Sequence, residues 1–261
     1  MPDEMKRGED SMKPTFLKAD KAMLTVMVQA EHPDRIKELM AKSMPEGAEA
    51  FGMQFEKLPK EYRTPEVYKD LFSCAEGKPV YVTNYLKWKN EGKTYDDLAS
   101  ELIEIAECGA TLCDVMGDFY DKQEDELAVD KIAIEKQMKL IDDLHSRGAE
   151  VLMSSHILKY TPAERVLEVA LEHQRRGADI SKIVTRAETM EEQLENLKII
   201  NMLKEKLDIP FLFLASGESN LIRKIGGELG CAMYLVVYEK DEFVTLGQPL
   251  LKNVKAIRDN I

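Results

Sequence analysis

Apolar, β-rich runs of five or six residues recur along the chain. Between them lie longer segments in which apolar residues fall three and four apart and charges take the other face. Eight runs predict strands: Met23–Val28, Ala50–Phe55, Pro79–Thr83, Thr111–Val115, Val151–Ser155, Asp179–Val184, Phe211–Ala215 and Met233–Val237. Tyr95–Glu107 and Ala163–Arg176 read as amphipathic helices. This alternation is the mark of parallel βαβ units and an α/β fold. Gly148 and Gly177 each follow a basic helix end and precede a strand, which predicts helix stops there. Thr161-Pro162-Ala163-Glu164 predicts a helix start, with Thr161 as N-cap, proline in the first turn and Glu164 at the positive end.

Eight strand-helix units fit a closed (β/α)8 TIM barrel spanning residues 21–261 as one domain. A doubly wound sheet has fewer strands and a Gly-rich phosphate loop after the first, and no such loop follows Val28. Residues 1–20 are polar and predict a loose tail or a segment capping the barrel bottom.

Composition narrows the function more than the fold. The 261 residues are 44% hydrophobic and 32% charged, enough apolar material for a large core under a solvated surface. A net charge of -12 without a basic patch excludes nucleic acid and an anionic membrane surface as partners, but not a small anionic substrate held by one or two buried cations. The apolar runs are too short to cross a bilayer and the first residues, MPDEMKRGED, lack a signal-peptide core, so a cytoplasmic protein is expected. Cys74, Cys108, Cys113 and Cys231 have no two-residue spacing and read as reduced core thiols, with no metal site. The 14 methionines read as core filler.

Two residues then stand out. His156 ends the fifth predicted strand, where barrel enzymes keep catalytic side chains; alone, it reads equally as a structural histidine. Lys182 lies within the sixth strand among residues that should be buried. A buried ammonium must find a partner, reach water or lose its proton, and only the last yields a nucleophile. Neighbouring strands lie about 4.8 Å apart, so both side chains can face one pocket. An amine that forms an imine with a ketone, beside an imidazole titrating near neutrality, suits elimination next to a carbonyl. Arg223 follows the seventh strand in a polar loop where barrels often bind anions, although spacing alone allows a surface arginine.

The segments Ser154-Ser155-His156 with Thr161-Pro162, and Gly177-Ala178-Asp179-Ile180-Ser181-Lys182-Ile183, resemble the histidine motif and the lysine strand of the type I (Schiff-base) 3-dehydroquinate dehydratases. The resemblance runs in order from Met23 to the C-terminal helix. It implies Lys182 as the imine-forming residue, His156 as general acid and base, Arg223 and Gln248 as holders of the substrate carboxylate, a homodimer, and no metal or organic cofactor. Departures mark the side that would bind the substrate hydroxyls. The family's Glu-x-Arg pair is replaced by Gly52 and Gln54. The arginine after the third strand corresponds to Tyr85 or to Lys87, depending on register, and Glu91 is the residue expected to orient His156. Met116, Ile157 and Val244 stand where polar residues are usual. Three readings follow: a 3-dehydroquinate dehydratase, a Schiff-base lyase or aldolase on another carboxylated hydroxyketone, and a binding barrel that kept the fold without catalysis.

Overall fold

In the computed structural model, which describes residues 13–17 and 20–261, the eight strands are all parallel. They are β1 (Met23–Val28), β2 (Ala50–Gln54), β3 (Val80–Thr83), β4 (Leu112–Met116), β5 (Glu150–His156), β6 (Ile180–Arg186), β7 (Phe211–Ser216) and β8 (Met233–Val236). Eight α-helices alternate with them among the described residues: α1 (Pro33–Ser43), α2 (Pro65–Ser73), α3 (Tyr95–Glu107), α4 (Lys131–Ser146), α5 (Ala163–Arg175), α6 (Met190–Lys206), α7 (Ile222–Leu229) and α8 (Leu251–Arg258). The ladder runs in sequence order from β1 to β7, with β8 paired to β1. At the seam between β7 and β8, Ala232 N–H donates to Phe211 O at 2.8 Å. The fold is the expected TIM barrel, and each predicted run overlaps the strand that forms there.

Period-two alternation divides every strand between two environments. Met27, Leu112, Leu152, Leu212 and Leu235 fill the barrel interior, while Val26, Phe51, Val82, Val115 and Met153 pack beneath the helices. Gly148 and Gly177 take φ of 77° and 95° after α4 and α5, the left-handed geometry in which a side chain is strained, so both helices stop where the sequence indicates. The start of α5 differs. Thr161 makes no cap; its hydroxyl donates to Lys159 O, and the Ala163 N–H is satisfied instead by the Glu195 carboxylate of α6 at 2.9 Å. A tertiary acceptor has replaced the local one.

At the end of the barrel where strands begin, Phe16 is buried and its N–H donates to Glu150 Oε2 at 2.9 Å, with Thr15 on the other oxygen. Residues 1–12, 18 and 19 of the segment read as a tail or cap lie outside the described residues. No helix among the described residues is long and apolar enough to cross a membrane.

Candidate active site

A cavity of about 180 Å³ opens at the C-terminal ends of the strands. Lys182, His156, Arg223, Gln248 and Gln54 all line it. Strand pairing sets Ser154 beside Lys182 and His156 beside Val184, so the imidazole sits two residues nearer the mouth than the lysine. Both project inward because they share the parity of Leu152 and Ile180 on their strands.

Lys182 is 4% exposed and makes three polar contacts: Tyr85 Oη at 2.9 Å, Tyr81 Oη at 3.0 Å and Asp114 Oδ2 at 3.2 Å. That number equals the donors of an ammonium. Of the three fates open to a buried lysine, the resting site realises partnership. Asp114 is fixed in turn by hydroxyls: Tyr85 donates to it at 2.6 Å, and Tyr81 and Ser154 also donate. Burial, and then the Asp114 charge, push both phenols well above the ordinary tyrosine value, so they remain proton donors.

His156 Nδ1 lies 2.8 Å from Glu126 Oε2, which also accepts the His156 backbone N–H at 2.7 Å. A carboxylate on Nδ1 places the ring proton there and leaves Nε2 free as the base. Burial, then the neighbouring Lys182 charge, lower His156 below its ordinary value, against the opposing pull of Glu126. Burial alone would raise Glu126, but the hydrogen bonds and charge of His156 outweigh it and hold the carboxyl at about 2. At neutral pH the ring is an unprotonated base.

Glu126 corrects an expectation. Glu91 was to orient His156, yet it is exposed, just past a turn at Trp88–Asn90, and makes no contact with the ring. Glu126 comes instead from the loop between β4 and α4, with a positive φ of 45°. Ser155 Oγ donates to its carbonyl at 2.6 Å, His173 lies 3.0 Å behind Ser155, and Arg176 bridges Gly117 O and Ala128 O across the loop base. The sequence carries no signal for it, since Glu126 is one acid in the polar run Lys122-Gln123-Glu124-Asp125-Glu126.

The structure also decides the register after β3. Tyr85 enters the cavity, whereas Lys87 is exposed, with its ammonium 5.8 Å from the Tyr85 ring centre. Gly52 has a spatial reason: a Cβ there would fall 2.2 Å from Met27 Sδ and 3.2 Å from Tyr81 Cδ1. Met27 occupies the space that a longer side chain at 52 would need. Gln54 Oε1 is buried without a hydrogen-bond partner among the described residues.

Arg223 is buried; its Nε donates to Ala215 O at 2.7 Å, and no carboxylate among the described residues pairs with it. Burial lowers it to about 10, so it stays a cation at neutral pH. Gln248 Oε1 accepts from Gln29 Nε2 at 2.9 Å, which turns its own amide N–H groups toward the cavity. Val244 packs against the apolar core, and Thr245 lines the cavity with its hydroxyl donating to Gln29 Oε1 at 3.3 Å. A buried, uncompensated arginine beside an amide donor is a site for a carboxylate.

The family model described as Type I 3-dehydroquinase matches residues 125–257, half of the chain. The chain belongs to this family. Within the 3-dehydroquinases, the 3-dehydroquinate dehydratase of Alkaliphilus oremlandii is 35% identical over 106 residues, 40% of either chain. That of Klebsiella pneumoniae is 33% identical over 97 residues, 36% of this chain and 39% of the relative. The match thus spans about two fifths of the curated relatives' length. The type I 3-dehydroquinate dehydratase of Clostridium difficile, solved with covalently modified comenic acid, superposes with a TM-score of 0.77 at 16% identity, covering 94% of both chains. The Geobacillus kaustophilus 3-dehydroquinate dehydratase gives 0.77 at 16% identity, over 94% of this chain and 92% of that one. Lys182, His156, Arg223 and Gln248 all fall inside the segment matched to the 3-dehydroquinases; Asp114, Tyr81, Tyr85 and Gln54 precede it.

Proposed function

We propose that this 3-dehydroquinase converts 3-dehydroquinate to 3-dehydroshikimate, a step of the shikimate pathway, through a Schiff base on Lys182. The observation that carries this is the meeting in one cavity of a buried lysine, a carboxylate-oriented histidine and an arginine that no carboxylate among the described residues pairs with. Lys182 turns the C3 ketone into an iminium, which acidifies C2. His156 removes the C2 proton and returns it to the hydroxyl leaving C1, which departs as water. Arg223 and Gln248 hold the carboxylate, and hydrolysis of the imine frees the product. The chain's residues need no metal or organic cofactor for these steps.

A second reading keeps the chemistry and changes the substrate to a less hydroxylated carboxylated ketone, a Schiff-base lyase or aldolase substrate. It is favoured by one observation: thioether and glycine stand where the resemblance leads one to expect a carboxylate, leaving Gln54 as the polar group on that wall. We also infer a homodimer in the cytoplasm. Met190, Leu194 and Leu197 support the dimer, since they expose an apolar row at helical spacing along α6.

Borohydride added to protein and 3-dehydroquinate tests the main reading. The expected result is a reduced adduct on Lys182 by mass and enone absorbance without borohydride, both abolished in Lys182→Ala. Wild-type protein that yields neither would reject the dehydroquinate assignment.

A further inference from the structure

Forming an iminium from a lysine ammonium and a ketone moves two protons from Nζ to the departing oxygen. The side chains hydrogen-bonded to Nζ that can carry them are Tyr85, Tyr81 and Asp114. Tyr85 is placed to do so. It follows the end of β3 at the cavity mouth, its hydroxyl lies 2.9 Å from Lys182 Nζ and 2.6 Å from Asp114 Oδ2, and its ring stands edge-on to His156 at 5.4 Å. Tyr81 touches the same two groups from within β3, farther from the mouth.

Resting on the Schiff-base reading above, we propose that Tyr85, resupplied by Asp114, is the catalytic acid that forms and hydrolyses the imine. In the first half, Asp114 takes a proton from Nζ, and the freed nitrogen pair attacks the carbonyl carbon. The carbon-oxygen π pair moves to oxygen, Tyr85 protonates that oxygen, and the Asp114 carboxyl reprotonates the phenolate. In the second half, Asp114 takes another proton from the carbinolamine nitrogen. The nitrogen pair forms the C=N bond as the C–O bond breaks, and Tyr85 gives the leaving oxygen its second proton before Asp114 restores the phenol. The ammonium's three protons end as one on the iminium and two on water. Asp114 finishes as a carboxylate beside the new positive charge, and hydrolysis runs the same steps backwards. A phenol held well above its ordinary pKa suits this work, since it is always loaded and its conjugate base recaptures a proton at once.

Timed borohydride trapping at Lys182 tests the relay with two ketones, 3-dehydroquinate and pyruvate, alongside uptake of oxygen-18 from water into the unreacted ketone. Tyr85→Phe is expected to slow trapping and isotope uptake by roughly 10²-fold with either ketone. Tyr81→Phe should slow them far less, and His156→Ala should keep both while losing elimination. Thermal unfolding of each variant separates chemistry from folding. Should Tyr85→Phe fail to fold, Asp114→Asn carries the same expectation. Wild-type trapping rates in Tyr85→Phe, or an equal loss in Tyr81→Phe, would overturn the relay. Wild-type protein that traps pyruvate but not 3-dehydroquinate sinks the substrate assignment while the relay is still measured, and trapping of neither ends both.

Discussion

Glu126 stands thirty positions before His156, and reaches it only because the loop after β4 folds over the end of β5. Loss of its charge by Glu126→Gln would remove the group that pulls His156 upward. The acid limb of the kcat profile should then move to lower pH, with kcat down by roughly 10²-fold from the misdirected ring. Stability has its own signature. A carboxyl whose folded value is about 2, below its ordinary 4.5, stabilises the fold above the ordinary value and ceases to do so as pH falls through the folded one. Wild type and Glu126→Gln should therefore converge in denaturant midpoint between those pH values; a constant difference would refute the linkage. Of the individual site residues, Lys182 was conspicuous because a charge interrupts an apolar strand, and His156 because it ends one. Glu126, Tyr81 and the role of Tyr85 were silent, since a glutamate in a polar loop and tyrosines beside a strand end are ordinary there.

Among the connecting segments, the loop between β8 and α8 carries Gln248 and is fastened by the segments that follow the neighbouring strands β1 and β2. Lys57 donates to Phe243 O and to Gln29 Oε1, and sits 4.8 Å from the Trp88 ring centre. Gln29 then holds Gln248 and Thr245, while Lys240 donates to Gln248 O. Lys57→Ala should loosen this loop without touching Lys182 or His156. One net hydrogen bond is worth about 1 kcal/mol, so KM should rise roughly fivefold with kcat little changed, as steady-state kinetics would read. A fall in kcat with KM unchanged would contradict a binding role. Strands and helix stops were legible, because a two-residue alternation and a left-handed glycine are local properties. The start of α5 was not, because its N–H found a carboxylate 32 residues away.

For the molecule as a whole, the apolar row on α6 is expected to be covered by a second copy. Light scattering should give twice the mass of one chain, and Leu194→Glu, which keeps a helix-forming residue, should give the single mass with its circular dichroism unchanged. A monomeric wild-type protein would reject the dimer. Barrel closure also places His156 on β5 and Met27 on β1, four strands apart in either direction, so base and thioether face one another across the cavity.

Taken alone, the chain's pattern determined an α/β barrel of eight units, the strand that bears each of Lys182 and His156, and the family, because these follow from periodicity, turn chemistry and short ordered motifs. The fold in three dimensions settled what surrounds those groups: Asp114 and two tyrosines on the lysine, Glu126 rather than Glu91 on the histidine, Tyr85 rather than Lys87 in the cavity, and Met27 over Gly52. Each of those is a contact between residues far apart in sequence. Hydrogen bonds and van der Waals exclusion act over a few ångströms of space, and closing the barrel is what brings such residues within that reach.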